Sequence, residues 1–240
     1  MDEQTVSSVW NEIKNLLATT HAELEGSKQT LDSLKPPATP DQVQQVEKDL
    51  GVIFPGQLKE FYLQNAGQQG QGKYSFPMAD IFDAFLSLKS LSNVARHFPS
   101  YCDEMAESWG IEKSQIFEEF QIPADFLSGD HPAVAWNSGW IPFAFSSNAG
   151  RVPFYLLIDA DPPEGVNAGR VIGIGGEGDS LSLIAPDLLS LLIDIRDQLR
   201  QLEPEPSVDS KGGKGLERRR VLRDTGPRIW HSYLREDHEF

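Results

Sequence analysis

Asp159, Asp161 and Glu164 crowd into one short stretch of the 240-residue chain. Carboxylates so close could share a proton for acid–base work or hold a hard cation through their oxygens. The same stretch reads as a turn, because Asp161 precedes Pro162-Pro163 and Glu164 precedes Gly165, residue types that set turn dihedrals. The turn explains the three acids better and leaves their charge to serve recognition. Gly173, Gly175 and Gly178 spell G-x-G-x-x-G after a strand-like run. A dinucleotide site needs a helix to begin at such glycines and face the pyrophosphate. Here Asp179, Ser180 and the β-like run Leu181 to Ile184 follow instead, and Glu177 and Asp179 would repel phosphate. Turn chemistry accounts for these glycines, and no cofactor is expected.

The five histidines, His21, His97, His131, His231 and His238, are scattered, and none stands at helical i, i+4 spacing from a second zinc-type ligand. No metal is expected, and His231 and His238, near Asp237 and Glu239, read as part of a solvated charged end. The single cysteine, Cys102, follows Tyr101 with no base suggested nearby, so a structural thiol suits it better than a nucleophile. There is no G-x-S-x-G elbow for serine hydrolysis. The expectation is that the chain is not an enzyme. Trp136, Trp140 and Phe143 form the aromatic group of most interest: they suit the core face of strands, and any left exposed would be a natural interface anchor.

Charge points outward. Acidic residues outnumber basic ones by 36 to 21, and the excess is uneven. Residues 204–240 hold eight basic and seven acidic side chains, leaving 13 basic against 29 acidic in residues 1–203, a net of −16. Such a surface repels nucleic-acid phosphates and attracts basic partners by long-range steering, though acidity also serves plain solubility. The basic stretch Lys211 to Arg223 reads as a solvated tail rather than a nucleic-acid or membrane contact. One cysteine, an acidic start and no apolar run near the roughly 20 residues of a membrane span predict a soluble, cytoplasmic protein without membrane insertion.

The elements that must position these residues follow from periodicity. Val6, Val9, Trp10, Ile13, Leu16, Leu17 and Leu24 share one stripe of a 3.6-residue period, predicting one long helix ended by Gly26 and Ser27. Thr39, Pro40 and Gln42 predict a capped second helix carrying Val43, Val46 and Leu50 and ended by Gly51. Pro55 opens a third through Leu58, Phe61 and Tyr62 to Ala66, stopped by Gly67. Residues 68–73 read as an exposed loop and residues 80–120 as mostly helical, with Leu91, Val94, Ala95 and Phe98 on one face. Residues 133–145, 153–159 and 169–174 are β-rich runs, with 180–184 a further candidate strand. The connection Ala160–Gly169 is too short for a parallel crossover, so the sheet should be antiparallel. Phe154 to Ile158, apolar on both faces, should lie in its middle. Leu188, Leu191, Leu192, Ile195, Leu199 and Leu202 predict a last helix over the sheet.

Two stretches carry a resemblance. PPATPDQVQQVEKDLGVIFPGQLKEFYLQNAG, residues 36–67, and WIPFAFSSNAGRVPFYLLIDADPPEGVNAGRVIGIG, residues 140–175, resemble in order and spacing the SUKH superfamily. These are the Smi/Knr-like proteins known as bacterial immunity proteins and fungal regulators of cell-wall synthesis. The likeness spans roughly residues 5–202. One departure is that Gly150 precedes Arg151, where members usually place an acid. The resemblance implies an α+β fold, a mainly antiparallel sheet wrapped by helices, in one domain over 1–203 with its N-terminal helix, while the polar, basic-rich composition from Pro204 onward predicts a flexible charged tail over 204–240. The resemblance implies a protein-binding activity, the neutralising of a toxin or other partner by occlusion, with a regulatory scaffold for cell-wall assembly as the alternative; the carboxylates near Asp159 leave a carboxylate-dependent enzyme as a second alternative. The expected partner is a protein, a basic toxin among the options. Trp136, Trp140, Phe143, Arg151, Asp159, Asp161 and Glu164 are the residues expected to meet it.

Overall fold

Thr5 accepts a hydrogen bond from the Ser8 amide at 3.2 Å while Ser8 Oγ accepts one from the Thr5 amide at 3.0 Å. This reciprocal cap starts α1, Val6–Ala18, whose Val6, Val9, Trp10, Ile13 and Leu17 are buried. The chain is seen in a computed structural model that describes residues 4–22, 25–69, 84–109, 138–146, 154–162, 167–174, 181–201, 204–208 and 214–218. The long first helix expected from the apolar stripe is in fact two. Thr19 closes α1 by returning its hydroxyl to the Asn15 carbonyl at 2.7 Å, a β-branched, back-bonding residue being a poor helix continuer. His21, 1% exposed, then pins the turn by placing Nε2 2.6 Å from the Leu199 carbonyl oxygen. Gly26 and Ser27 fall inside a second helix, α2, Glu25–Ser33, instead of ending the first.

The next helix has the expected signals. Thr39 and Gln42 cap each other around α3, Pro40–Leu50, with Pro40 in the first turn and Gly51 closing it at φ 69°. α4, Gly56–Gln64, buries Leu58, Phe61 and Tyr62 and ends at Asn65, earlier than expected. After β1 (Ala84–Phe85) come α5 (Leu88–Trp109), β2 (Trp140–Ser146), β3 (Phe154–Asp159), β4 (Arg170–Ile174), β5 (Leu181–Ala185) and α6 (Leu188–Gln201). The five strands form one sheet in the order β1-β2-β3-β4-β5, every neighbouring pair antiparallel. The α+β class, the antiparallel pairing and the central place of Phe154 to Ile158 are therefore as expected, and Leu156, Leu157 and Ile158 are all buried. At the start of the stretch read as a tail, β6 (Pro204–Val208) and β7 (Lys214–Arg218) pair as a separate two-stranded ribbon. Prolines are tolerated there because both strands are edges.

The helical layer meets the sheet through aromatic rings. Trp10 lies 5.2 Å from Phe61 and 5.3 Å from Phe85, edge to face, and Phe85 is 6.2 Å from Phe143 of β2. The α1 and α6 helices are laced outside this core by Glu12, whose carboxylate takes Arg200 at 2.9 Å and Arg196 at 3.5 Å. Hydrogen bonding to Asp197, opposed in part by burial, raises the pKa of Arg196.

Gln68 departs most from the sequence reading. It was placed in an exposed loop, yet it is 6% exposed. Its Nε2 donates to Ser33 Oγ at 2.9 Å and its Oε1 accepts from the Phe85 amide at 2.7 Å. Around it run irregular backbone pairings: Lys35 N–H to the Gly67 carbonyl, Ala66 N–H to Pro36, Gln68 N–H to Phe85, and Leu86 N–H to Phe143 of β2. Gly67, at φ 91°, allows the approach, since a Cβ there would lie 2.4 Å from the Leu86 oxygen. Tyr62 donates its hydroxyl to that same oxygen at 3.0 Å, and burial pushes its phenol above the ordinary range.

Replacing Gln68 by Leu should cost about 1–3 kcal/mol in denaturant unfolding, because it removes the side-chain acceptor of the buried Phe85 amide, while the Ser33 hydroxyl keeps its hydrogen bond to the Thr30 carbonyl. A midpoint unchanged from the parent would refute the bridge. A second expectation concerns Asp194, whose carboxyl is pushed above its ordinary range by burial and then by Asp197. The folded state holds that proton more tightly than the unfolded chain, so ionisation of Asp194 subtracts stability as pH rises past about 4. Asp194→Asn should therefore raise the melting temperature at pH 7, with the gain closing at pH 3; a gain equal at both values would exclude this origin.

Candidate functional site

The sequence candidates converge on one end of the sheet, where β2 begins, β3 ends and β4 begins. Trp140 stands opposite Asp159, and Asp159 opposite Arg170, in the strand register. Cross-strand partners share a face, so the three form a row. Arg170 Nε donates to Asp159 Oδ2 at 2.8 Å, and the two side chains are 9% and 1% exposed. The ion pair closes the neck of the β3–β4 loop together with the Gly169 amide, which donates to the Asp159 carbonyl at 2.7 Å. On the β2 side the Ala160 amide donates to the Gly139 carbonyl at 2.9 Å. Gly139 must lack a side chain, since a Cβ there would fall 2.5 Å from the Asp161 Cβ.

The α3–α4 connection leans on the same neck, with Pro55 Cβ 3.5 Å from where a Gly169 Cβ would stand. Glu47 holds this connection. Its carbonyl accepts from the Gly51 and Val52 amides, and its Oε1 accepts from the Phe54 amide at 2.6 Å and pairs with Lys59 at 2.9 Å. Phe54 is thereby turned inward, 1% exposed, and Ile53 outward, 77% exposed.

Each candidate now has a place. Asp159 is a buried partner of Arg170, whereas Asp161 is exposed on the loop that follows. Trp140 and Phe143 are both buried, so neither offers the exposed ring that an anchor needs. Trp136, Arg151 and Glu164 lie outside the described residues, as does the glycine-rich run after Ile174. Gly173 is a strand residue paired with Leu156 and Ser182, and the next described element is β5 rather than a helix. Among the described residues no three His, Cys, Asp or Glu side chains are grouped so as to hold a metal ion, and no helix is long and apolar enough to cross a membrane. His21 is buried against α6 and His97 is exposed on α5.

Sequence reasoning missed Arg170, Gly139 and Ile53. A signal existed for the first: an acid ending one strand and a base starting the next, across a short connection, are placed to pair in a hairpin. For Ile53 the signal was the unbroken apolar run Val52-Ile53-Phe54 between Gly51 and Pro55, too short for all three side chains to be buried. Asp159→Ala and Arg170→Ala should each destabilise the fold by about 3–5 kcal/mol, since each strips a buried charge of its ion-pair partner at 2.8 Å. A double replacement by apolar residues should cost clearly less than the sum of the two. Additive losses in a double-mutant cycle would show that the two side chains act independently.

A family model described as the SMI1 / KNR4 family (SUKH-1) matches residues 37–194. That span runs from the approach to α3 through the first half of α6, about two thirds of the chain, and includes the whole five-stranded sheet and the Asp159–Arg170 neck. A search of the curated proteins finds no match. With the antiparallel sheet under its helices and the ordered motifs all inside the matched span, the chain belongs to the SMI1/KNR4 (SUKH-1) family.

Proposed function

We propose that this chain is a non-catalytic, protein-binding member of its family that works in the cytoplasm, neutralising a basic partner, most simply a toxin, by covering it. The observation that carries the reading is the net charge of −16 over residues 1–203, on a fold whose family points to immunity or cell-wall-related roles. A folded acidic body captures basic proteins quickly, because long-range attraction steers the encounter before short-range contacts form. Occlusion needs a rigid body, and the aromatic core with the Asp159–Arg170 clasp supplies one. The buried Asp159 is engaged by a guanidinium, an arrangement that suits holding a loop better than shuttling a proton.

Affinity isolation of the full chain from its native cell, followed by purification of stoichiometric companions, tests the reading. The expected companion is a basic protein whose activity falls on mixing, and whose association rate drops on the order of tenfold when salt is raised from low to high concentration. Wall-synthesis components as companions would move the assignment to a regulatory scaffold. A turnover abolished by Asp159→Asn with Asp161→Asn, while protein capture is unchanged, would move it to a carboxylate enzyme.

A further inference from the structure

We infer that the loop Leu50 to Gly56 is the apolar centre of the docking surface, with Ile53 as its anchor and a basic protein as its occupant; the assignment rests on the protein-binding reading above. Ile53 is 77% exposed. A lone exposed aliphatic side chain is ordinary on protein surfaces, so exposure alone decides nothing. What sets Ile53 apart is how firmly it is shown. Glu47 alone takes the amides of Gly51, Val52 and Phe54, Lys59 fixes the Glu47 carboxylate at 2.9 Å, and Pro55 rests on the β3–β4 neck at Gly169. The backbone order that a binding loop usually loses entropy to acquire is already in place, which favours affinity.

The surroundings suit an anchor. Leu50 to Gly56 carries no charge, Leu50, Val52 and Pro55 are half-buried, and nothing lies within 4 Å of a Cβ built on Gly51 or Gly56. Ile53 therefore stands above low, open, uncharged ground. Ion pairs flank the loop on its two helices, Asp49 with Arg96 at 3.5 Å and Glu47 with Lys59 at 2.9 Å, so the charge that favours one kind of partner is that of the whole body, −16 over residues 1–203. An apolar centre with a charged rim is the anatomy of a protein interface. A second copy would bring its own net charge of −15 to the contact, whereas a basic protein meets the acidic body as a whole with opposite charge.

The test uses the full chain with Ile53→p-benzoylphenylalanine and, as a control on the exposed face of α3, Gln44→p-benzoylphenylalanine, photo-crosslinked in the native cell. The captured protein is then purified and titrated against the parent, Ile53→Val and Ile53→Ser. The expected result is an adduct with a basic protein from position 53 and not from 44. Ile53→Ser should bind about 10–100-fold more weakly, through faster dissociation, with an unchanged melting temperature, and Ile53→Val should bind within a few-fold of the parent. Adducts of the chain with itself would assign the loop to a second copy and overturn the basic partner. A basic partner joined only from position 44, or bound equally by Ile53→Ser, would overturn the loop assignment and leave the protein-binding reading standing. No adduct from either position, together with no companion in the affinity isolation, would sink both.

Discussion

A buried carboxamide holds the two layers of this protein in register. Gln68 faces Ser33 at the end of α2 with one half of its amide and the β1 backbone at Phe85 with the other. Two segments with no regular pairing of their own, the approach to α3 and the exit from α4, meet the short edge strand β1 around it through backbone hydrogen bonds. Buried main-chain polar groups must find partners, and here one side chain completes what the irregular segments cannot. The Phe85 ring, placed by this arrangement, then reaches Trp10 and Phe61 on one side and Phe143 on the other. The helical cover is thus located on the sheet by a polar contact and secured there by aromatic burial.

At the far end of the sheet the same logic recurs with charge. Strand register puts Asp159 against Arg170, and their contact, with the backbone bond from Gly169, draws the mouth of the β3–β4 loop shut. Pro55 stands beside that mouth, close enough that a side chain at Gly169 would touch it, while Glu47 holds the α3–α4 loop through its hydrogen bonds. Helix end, loop and hairpin neck therefore behave as one piece, and recognition requires a surface of this kind to keep its shape.

Local signals were legible in the sequence and distant ones were not. The cap at Thr39 and Gln42 and the stop at Gly51 depend on residues a few positions apart, and the structure has them as read. The β-rich runs likewise placed β2 through β5, and the short connection Ala160–Gly169 their antiparallel sense. The first helix was misread because the apolar stripe continues in phase to Leu24, although Thr19 turns its hydroxyl back and His21 commits the chain to α6. Gln68 looked like solvent-facing punctuation because its partners are 35 and 17 residues away, beyond any periodicity. Trp140 and Phe143 were weighed both as core and as anchors, a choice that only the three-dimensional neighbours decide, and they are buried. Among the described residues the exposed apolar side chain at this end is Ile53, which no motif singled out.

The family match begins at residue 37, yet Trp10 of α1 occupies the centre of the aromatic cluster and His21 reaches the last turn of α6. The folding unit of this chain therefore reaches beyond the matched span: the first helix is the keystone of its own aromatic cluster, and residues 37–194 by themselves would leave open the place that the Trp10 indole fills against Phe61 and Phe85.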